Sequence, residues 1–156
     1  MQQNDEHLRF VKQKIECIKI AFFIADTESI LKLPNNIIST LRVTDDGFIW
    51  FFTSYIGEYI QYLDKEFYVS LDYYQKGNNC RLQIKGKAFI IDNDTEEPLG
   101  MKDTIERSAK MILMKVKILK AEYTVDKLPR TSIKEKIVSA FHTILSSNQY
   151  KVYDFS

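Results

Sequence analysis

Hydrophobic positions recur along this chain in two rhythms, and the switches between them outline its elements. In NDEHLRFVKQKIECI, Leu8, Val11, Ile15 and Ile18 follow at three- and four-residue steps, forming one helix stripe. Asn4 or Asp5 stands where an N-cap belongs, which predicts a helix over about 5–18. IKIAFFIAD is short, apolar and ends on a turn former, so a strand follows. After the turn at Pro34-Asn35-Asn36, IISTLRV alternates. Ile37, Ser39, Leu41 and Val43 share one face, and Ile38, Thr40 and Arg42 share the other. Asp45-Asp46-Gly47 joins this strand to FIWFFTS as a hairpin, with Gly47 able to take a positive φ. From Phe48 to Phe52 neither face is polar, so both faces must be covered.

Past Ser54 the period lengthens. Ile56, Ile60 and Leu63 make one helical stripe, with Tyr55, Tyr59 and Tyr62 beside it. FYVSLDYY returns to period two, with Phe67, Val69, Leu71 and Tyr73 on one side. CRLQIKGKAFIID is the plainest strand: Leu82, Ile84, Ala88 and Ile90 inward, Arg81, Gln83, Lys85 and Lys87 outward. Gly86 in its middle implies a bend or a close backbone approach. MILMKVKILKAEYTV changes phase after Ile118, from Ile112, Met114, Val116 and Ile118 to Leu119, Ala121, Tyr123 and Val125. A one-residue phase change predicts a β-bulge, a device common where a sheet curls into a barrel. Ser132 to Glu135 is a capping box, predicting a last helix over about 132–146.

The order is helix, about three strands, short helix, three strands, helix. This predicts a mainly β fold: an antiparallel barrel of six strands with flanking helices, one domain over 1–156. Twenty-two basic and 21 acidic residues nearly cancel, giving no reason to expect nucleic acid or an anionic membrane as partner. No apolar run reaches the roughly 20 residues of a membrane-spanning helix. Two cysteines, Cys17 and Cys80, form no CxxC pattern, and no secretory leader is evident. The expectation is a cytoplasmic protein with free thiols. With two histidines, a His-based metal site is not expected. No P-loop, nucleophile elbow or zinc spacing occurs.

DGFIWFFTS, the short helix, FYVSLDYY and CRLQIKGKAFIID together resemble the pyridoxamine 5′-phosphate oxidase-like FMN-binding split barrels, in particular their general-stress branch. The resemblance covers roughly 35–93. It implies a six-stranded split barrel that pairs as a homodimer, with FMN or another small anionic ligand in clefts along the subunit interface. Carried over by position, it implies cofactor contacts from Arg42 and from Phe52, Thr53 and Ser54 of the aromatic strand. Arg81 and Gln83 would come from the partner subunit.

There are departures. Where the family sets cations after the Thr, this chain has Gly57, Glu58 and Tyr59, which leaves Arg42 as the expected phosphate cation. Ile37 stands where the oxidases open their strand with Arg, and the Trp- and Arg-bearing tail is missing. The expected function is therefore a flavin-dependent oxidoreductase of a small substrate, not a pyridoxamine phosphate oxidase. The alternative is a non-catalytic dimeric barrel that has lost the usual phosphate site. No residue stands out as an acid–base catalyst.

Overall fold

The computed structural model describes residues 2–55, 62–77, 79–91, 111–125 and 149–156. Helix α1 (Gln2–Ile18) leads into β1 (Ile20–Asp26), β2 (Asn36–Val43), β3 (Phe48–Ser54), β4 (Glu66–Gln75), β5 (Cys80–Ile91), β6 (Met111–Val125) and β7 (Gln149–Asp154). The strand order is β3-β2-β1-β4-β5-β6-β7, and β3 also pairs with β6. That extra pairing closes the first six strands into an antiparallel barrel, as expected. The flanking β7 was not anticipated; it pairs along Lys120–Val125 of β6, beyond the stretch that β3 occupies.

Inward alternation fills the barrel. Phe23, Ile49, Phe51, Leu71, Tyr73, Leu82, Ile84, Met114 and Ile118 are all buried, and the Phe23 and Phe51 rings meet at 5.6 Å. Helix α1 adds Val11 and Ile15 to this core. It starts earlier than its expected cap, so Asp5 lies in the first turn rather than before it. It ends where Lys19 takes a left-handed φ of 65° and returns its N–H to the Ile15 carbonyl at 2.8 Å.

Two bulges set which side chains face inward. Lys85 pairs with Lys120 but Gly86 with Ile118, so Leu119 is the extra residue where the phase change predicted one. A second bulge at Leu41 lies between Thr40↔Phe51 and Arg42↔Trp50. It overrides the simple alternation expected of IISTLRV. Ile38 and Val43 are buried, while Ile37, Ser39, Leu41 and Arg42 are exposed. Gly86 is required by a close approach: a Cβ there would lie 2.4 Å from the Lys117 carbonyl oxygen and 2.5 Å from Val116 Cγ1. Gly47 turns the β2–β3 hairpin at φ 84°, as its place after two aspartates predicts.

Neither Cys17 nor Cys80 is in a disulfide, and the Cys80 thiol lies 3.4 Å from the Tyr123 hydroxyl. Among the described residues no helix is long and apolar enough to cross a membrane. The expected helix at 132–146 and Tyr59 of the tyrosine stripe lie outside the described residues, while Tyr55 packs against the core and Tyr62 is exposed.

Candidate functional site

The residues singled out from the sequence fall in two places on the barrel. The first is the β2–β3 pair. Arg42 lies on the outside of β2, opposite Trp50, with its guanidinium 5.2 Å from that ring's centre. Alternation along β3 sends Phe48, Trp50, Phe52 and Ser54 outward and Ile49, Phe51 and Thr53 inward. Thr53 is thus only 1% exposed, and its hydroxyl has no hydrogen-bond partner among the described residues. Ser54 is held at the far end of the pair, where its hydroxyl accepts a 2.8 Å bond from Asn36 Nδ2.

This geometry differs from the expectation that Arg42 serves a phosphate beside the helix start. Trp50, its cross-strand neighbour, is four residues before Ser54, about 13 Å along the strand. The cation and the hydroxyls thus mark opposite ends of the β2–β3 ledge. Glu58 and Tyr59, which would flank the Ser54 end, lie outside the described residues.

The second place is the outer face of β4–β5. Arg81 is clamped by Asp72, with Nε 2.9 Å from one carboxylate oxygen and Nη2 2.7 Å from the other. That bidentate bond, with the carboxylate's charge, pushes the Arg81 pKa still higher. Gln83, half-buried, stands opposite Asp72 on one side and Glu122 on the other. Arg81 pairs with Thr124 of β6, whereas Trp50 pairs with Lys115. The nine steps from Lys115 to Thr124 amount to about 30 Å of strand. Within one chain Arg81 and Gln83 therefore do not join Arg42, Thr53 and Ser54; one cleft can use both sets only if two chains supply them.

Beside Arg42 the β1–β2 surface is apolar and uncovered. Ile20 (49% exposed), Phe22 (43%), Ile37 (69%) and Leu41 (43%) all point outward, with Phe22 directly across from Ile37. The barrel interior below is closed by a 2.7 Å hydrogen bond between the Thr40 and Tyr73 hydroxyls. Burial holds the Tyr73 phenol well above its ordinary pKa. In the same cross-strand row, Tyr73–Leu82–Tyr123, burial and the neighbouring Cys80 thiol push Tyr123 up to about 12. No group of three or more His, Cys, Asp or Glu among the described residues could hold a metal.

Sequence reasoning missed a third feature: cations laid over the outward aromatic rings of β3 and β5. Its only trace in the sequence was the alternation of lysines in MKVK and KGK.

No protein-family model matches the chain, and no curated protein does. Solved structures do match in shape. A protein related to general stress protein 26, of the pyridoxinephosphate oxidase family, from Clostridium acetobutylicum, superposes with a TM-score of 0.57 at 13% identity, over 85% of this chain and 98% of that one. The general stress FMN/FAD binding protein of Xanthomonas citri gives 0.54 at 16% identity, over 80% and 92%. A general stress protein 26 candidate from Jannaschia sp. CCS1 gives 0.58 at 12% identity, over 96% and 99%. The shared feature is the closed six-stranded barrel, and the chain has the split-barrel fold of these proteins.

Proposed function

We propose that this protein is a homodimeric FMN-binding split barrel acting as a flavin-dependent oxidoreductase on a small substrate, in a reducing compartment. The observation that carries the reading is a flat apolar ledge ending in a cation without an acidic partner. Ile20, Phe22, Ile37 and Leu41 are exposed side by side, and Arg42, at the end of the same strand, has no carboxylate partner among the described residues. A second copy laid on the ledge would cover it and leave a cleft beside Arg42 for a planar, anionic ligand.

The described residues fit such a group in part. Arg42 and Phe52 would border its ring system and Ser54 lies toward its other end, while Thr53 points into the barrel, away from such a cleft. Arg81 and Gln83 of the second chain would complete the cleft. Bound flavin would supply hydride or electron transfer; the chain's own part would be to orient it and exclude water. Glu58 and Tyr59 in place of cations argue against pyridoxamine phosphate oxidation.

The second reading is a dimeric barrel without catalysis. Arg81 favours it, because a guanidinium already clamped by Asp72 has fewer donors to offer a ligand. An absorbance spectrum of freshly purified protein, followed by titration with FMN and riboflavin, separates the two. Under the first reading Arg42→Ala weakens binding by at least about tenfold, or about 1.4 kcal/mol. An equal loss for both flavins assigns Arg42 to the ring end; a loss confined to FMN assigns it to the phosphate. Binding of neither flavin at high micromolar concentration leaves the non-catalytic barrel.

A further inference from the structure

The outward face of β3, β6 and β5, with Arg42 of β2 and Tyr68 of β4 at its margins, carries two adjoining cross-strand rows of cations and aromatic rings. They alternate in the first row, and two lysines stand side by side in the second. Cα pairing fixes the first row as Arg42–Trp50–Lys115–Phe89. The second, two residues along, is Phe48–Lys117–Lys87–Tyr68. The contacts are direct. Lys115 Nζ lies 5.3 Å from the Phe48 ring centre, 5.6 Å from Trp50 and 6.0 Å from Phe89. Lys117 Nζ is 4.8 Å over Phe48, and Lys87 Nζ is 5.7 Å over Phe89.

Folding alone does not ask for this arrangement. Lys87 and Lys117 are directly opposite each other, and like charges in that position destabilise a sheet. The acids nearby do not neutralise the face. Glu66 pairs with Lys87 at 2.8 Å, and of the described residues Lys117 reaches only the Asp46 carbonyl. Among the described residues neither Arg42 nor Lys115 has a carboxylate partner. Three cations among the described residues, Arg42, Lys115 and Lys117, are left over on a surface floored with aromatic rings. Neighbouring strands lie about 4.8 Å apart, and alternate residues along a strand about 6.6 Å.

We propose that this face binds single-stranded nucleic acid. A flexible polyanion has its charges in series and a flat base on every repeat, and interleaved cations and rings suit both parts. Duplex nucleic acid hides its base faces, and an acidic peptide has none to stack. The near-zero net charge of the whole chain does not bear against a local surplus.

Trp50 is the only tryptophan in the chain and stands in the first row, so its emission reports the site directly. The test titrates the full-length protein at low salt with thymidine and uridine oligomers of about 12 nucleotides. Trp50 emission is expected to fall as bases stack beside it, with a log–log salt slope of about −2 for three phosphate contacts. The Lys115→Glu/Lys117→Glu double variant should bind at least about tenfold more weakly, with a shallower slope. Lys115→Gln/Lys117→Gln, which keeps the volume, should also weaken binding and stands in if the reversed pair does not fold. Tighter binding of the uridine oligomer would assign RNA, and of the thymidine oligomer DNA; equal binding supports the shared chemistry. The proposal is overturned if wild type shows no complex at high micromolar oligomer or if both double variants bind as wild type does. It is overturned too if duplex DNA, polyglutamate or anionic vesicles match the single strands in affinity and in their effect on Trp50.

Discussion

Two outward faces of one barrel meet at Arg42, and they solve the same problem in opposite ways. On β1–β2 the chain leaves Ile20, Phe22, Ile37 and Leu41 bare, with only Ser39 between them as polar relief. On β3–β6–β5 it places comparably large rings and roofs them with its own lysines, whose stems cover apolar area while their ammonium groups stay wet. A bare patch is stable only when something apolar covers it, whereas a roofed patch tolerates water and attracts anions. The difference predicts different partners for the two faces, and it can be broken one face at a time.

The largest expected effect removes the scaffold of the cationic face. In Gly86→Ala the new methyl would meet the Lys117 carbonyl, which is backbone and cannot swing aside. Unfolding in urea should show a loss of about 3 kcal/mol, the upper end of overpacking costs. Next comes the bare face. Ile37→Asp buries a charge in any contact formed there but leaves the single chain's core untouched. The dimer constant is expected to weaken by at least about a hundredfold, about 2.7 kcal/mol, while the salt-dependent binding to the other face persists. Light scattering that shows the same mass for variant and wild type would dissolve the distinction.

The smallest effects lie in the interior beneath the two faces. Under β1–β2, Tyr73→Phe strips the partner from the Thr40 hydroxyl and should cost about 1 kcal/mol. Under β3, the Thr53 hydroxyl has no partner to lose, so Thr53→Val should be neutral or stabilising by up to about 1 kcal/mol. Denaturant curves in the absence of flavin decide both. A clear loss in Thr53→Val would mean that the hydroxyl has a partner after all.

Much of this architecture was legible because it is local. The stripe Leu8–Val11–Ile15–Ile18, the Gly47 hairpin and the period-two runs of β4 and β5 each need only neighbouring residues to be recognised. The bulge at Leu119 was legible because it displaces a long apolar series by one. The bulge at Leu41 was not, since Ile37 and Ile38 are equally apolar and either could have been inside. β7 escaped because QYKVYD is short and, of its described side chains, buries Tyr153 while exposing Tyr150 and Val152. The candidate site was legible one residue at a time but not as a constellation. The 30 Å of strand that separates Arg81 from Arg42 follows from which strands pair, and so does the meeting of Lys115, Trp50 and Phe89.

The two bulges also bear on how this chain can change length. In a strand, inside and outside are a matter of parity, and each bulge is one odd step that resets it. Leu119 and Lys120 both face outward between inward Ile118 and Ala121, so deleting Leu119 alone would only remove the bulge. Deleting Lys117 alone would instead turn the residues on one side of the cut to the opposite face. Deleting an adjacent pair away from the bulge would shorten the strand yet leave every remaining side chain on its own side. In β2 and β6, therefore, descendants of this sequence should gain and lose residues in twos, with single-residue changes confined to the bulges at Leu41 and Leu119 and to the connections between strands.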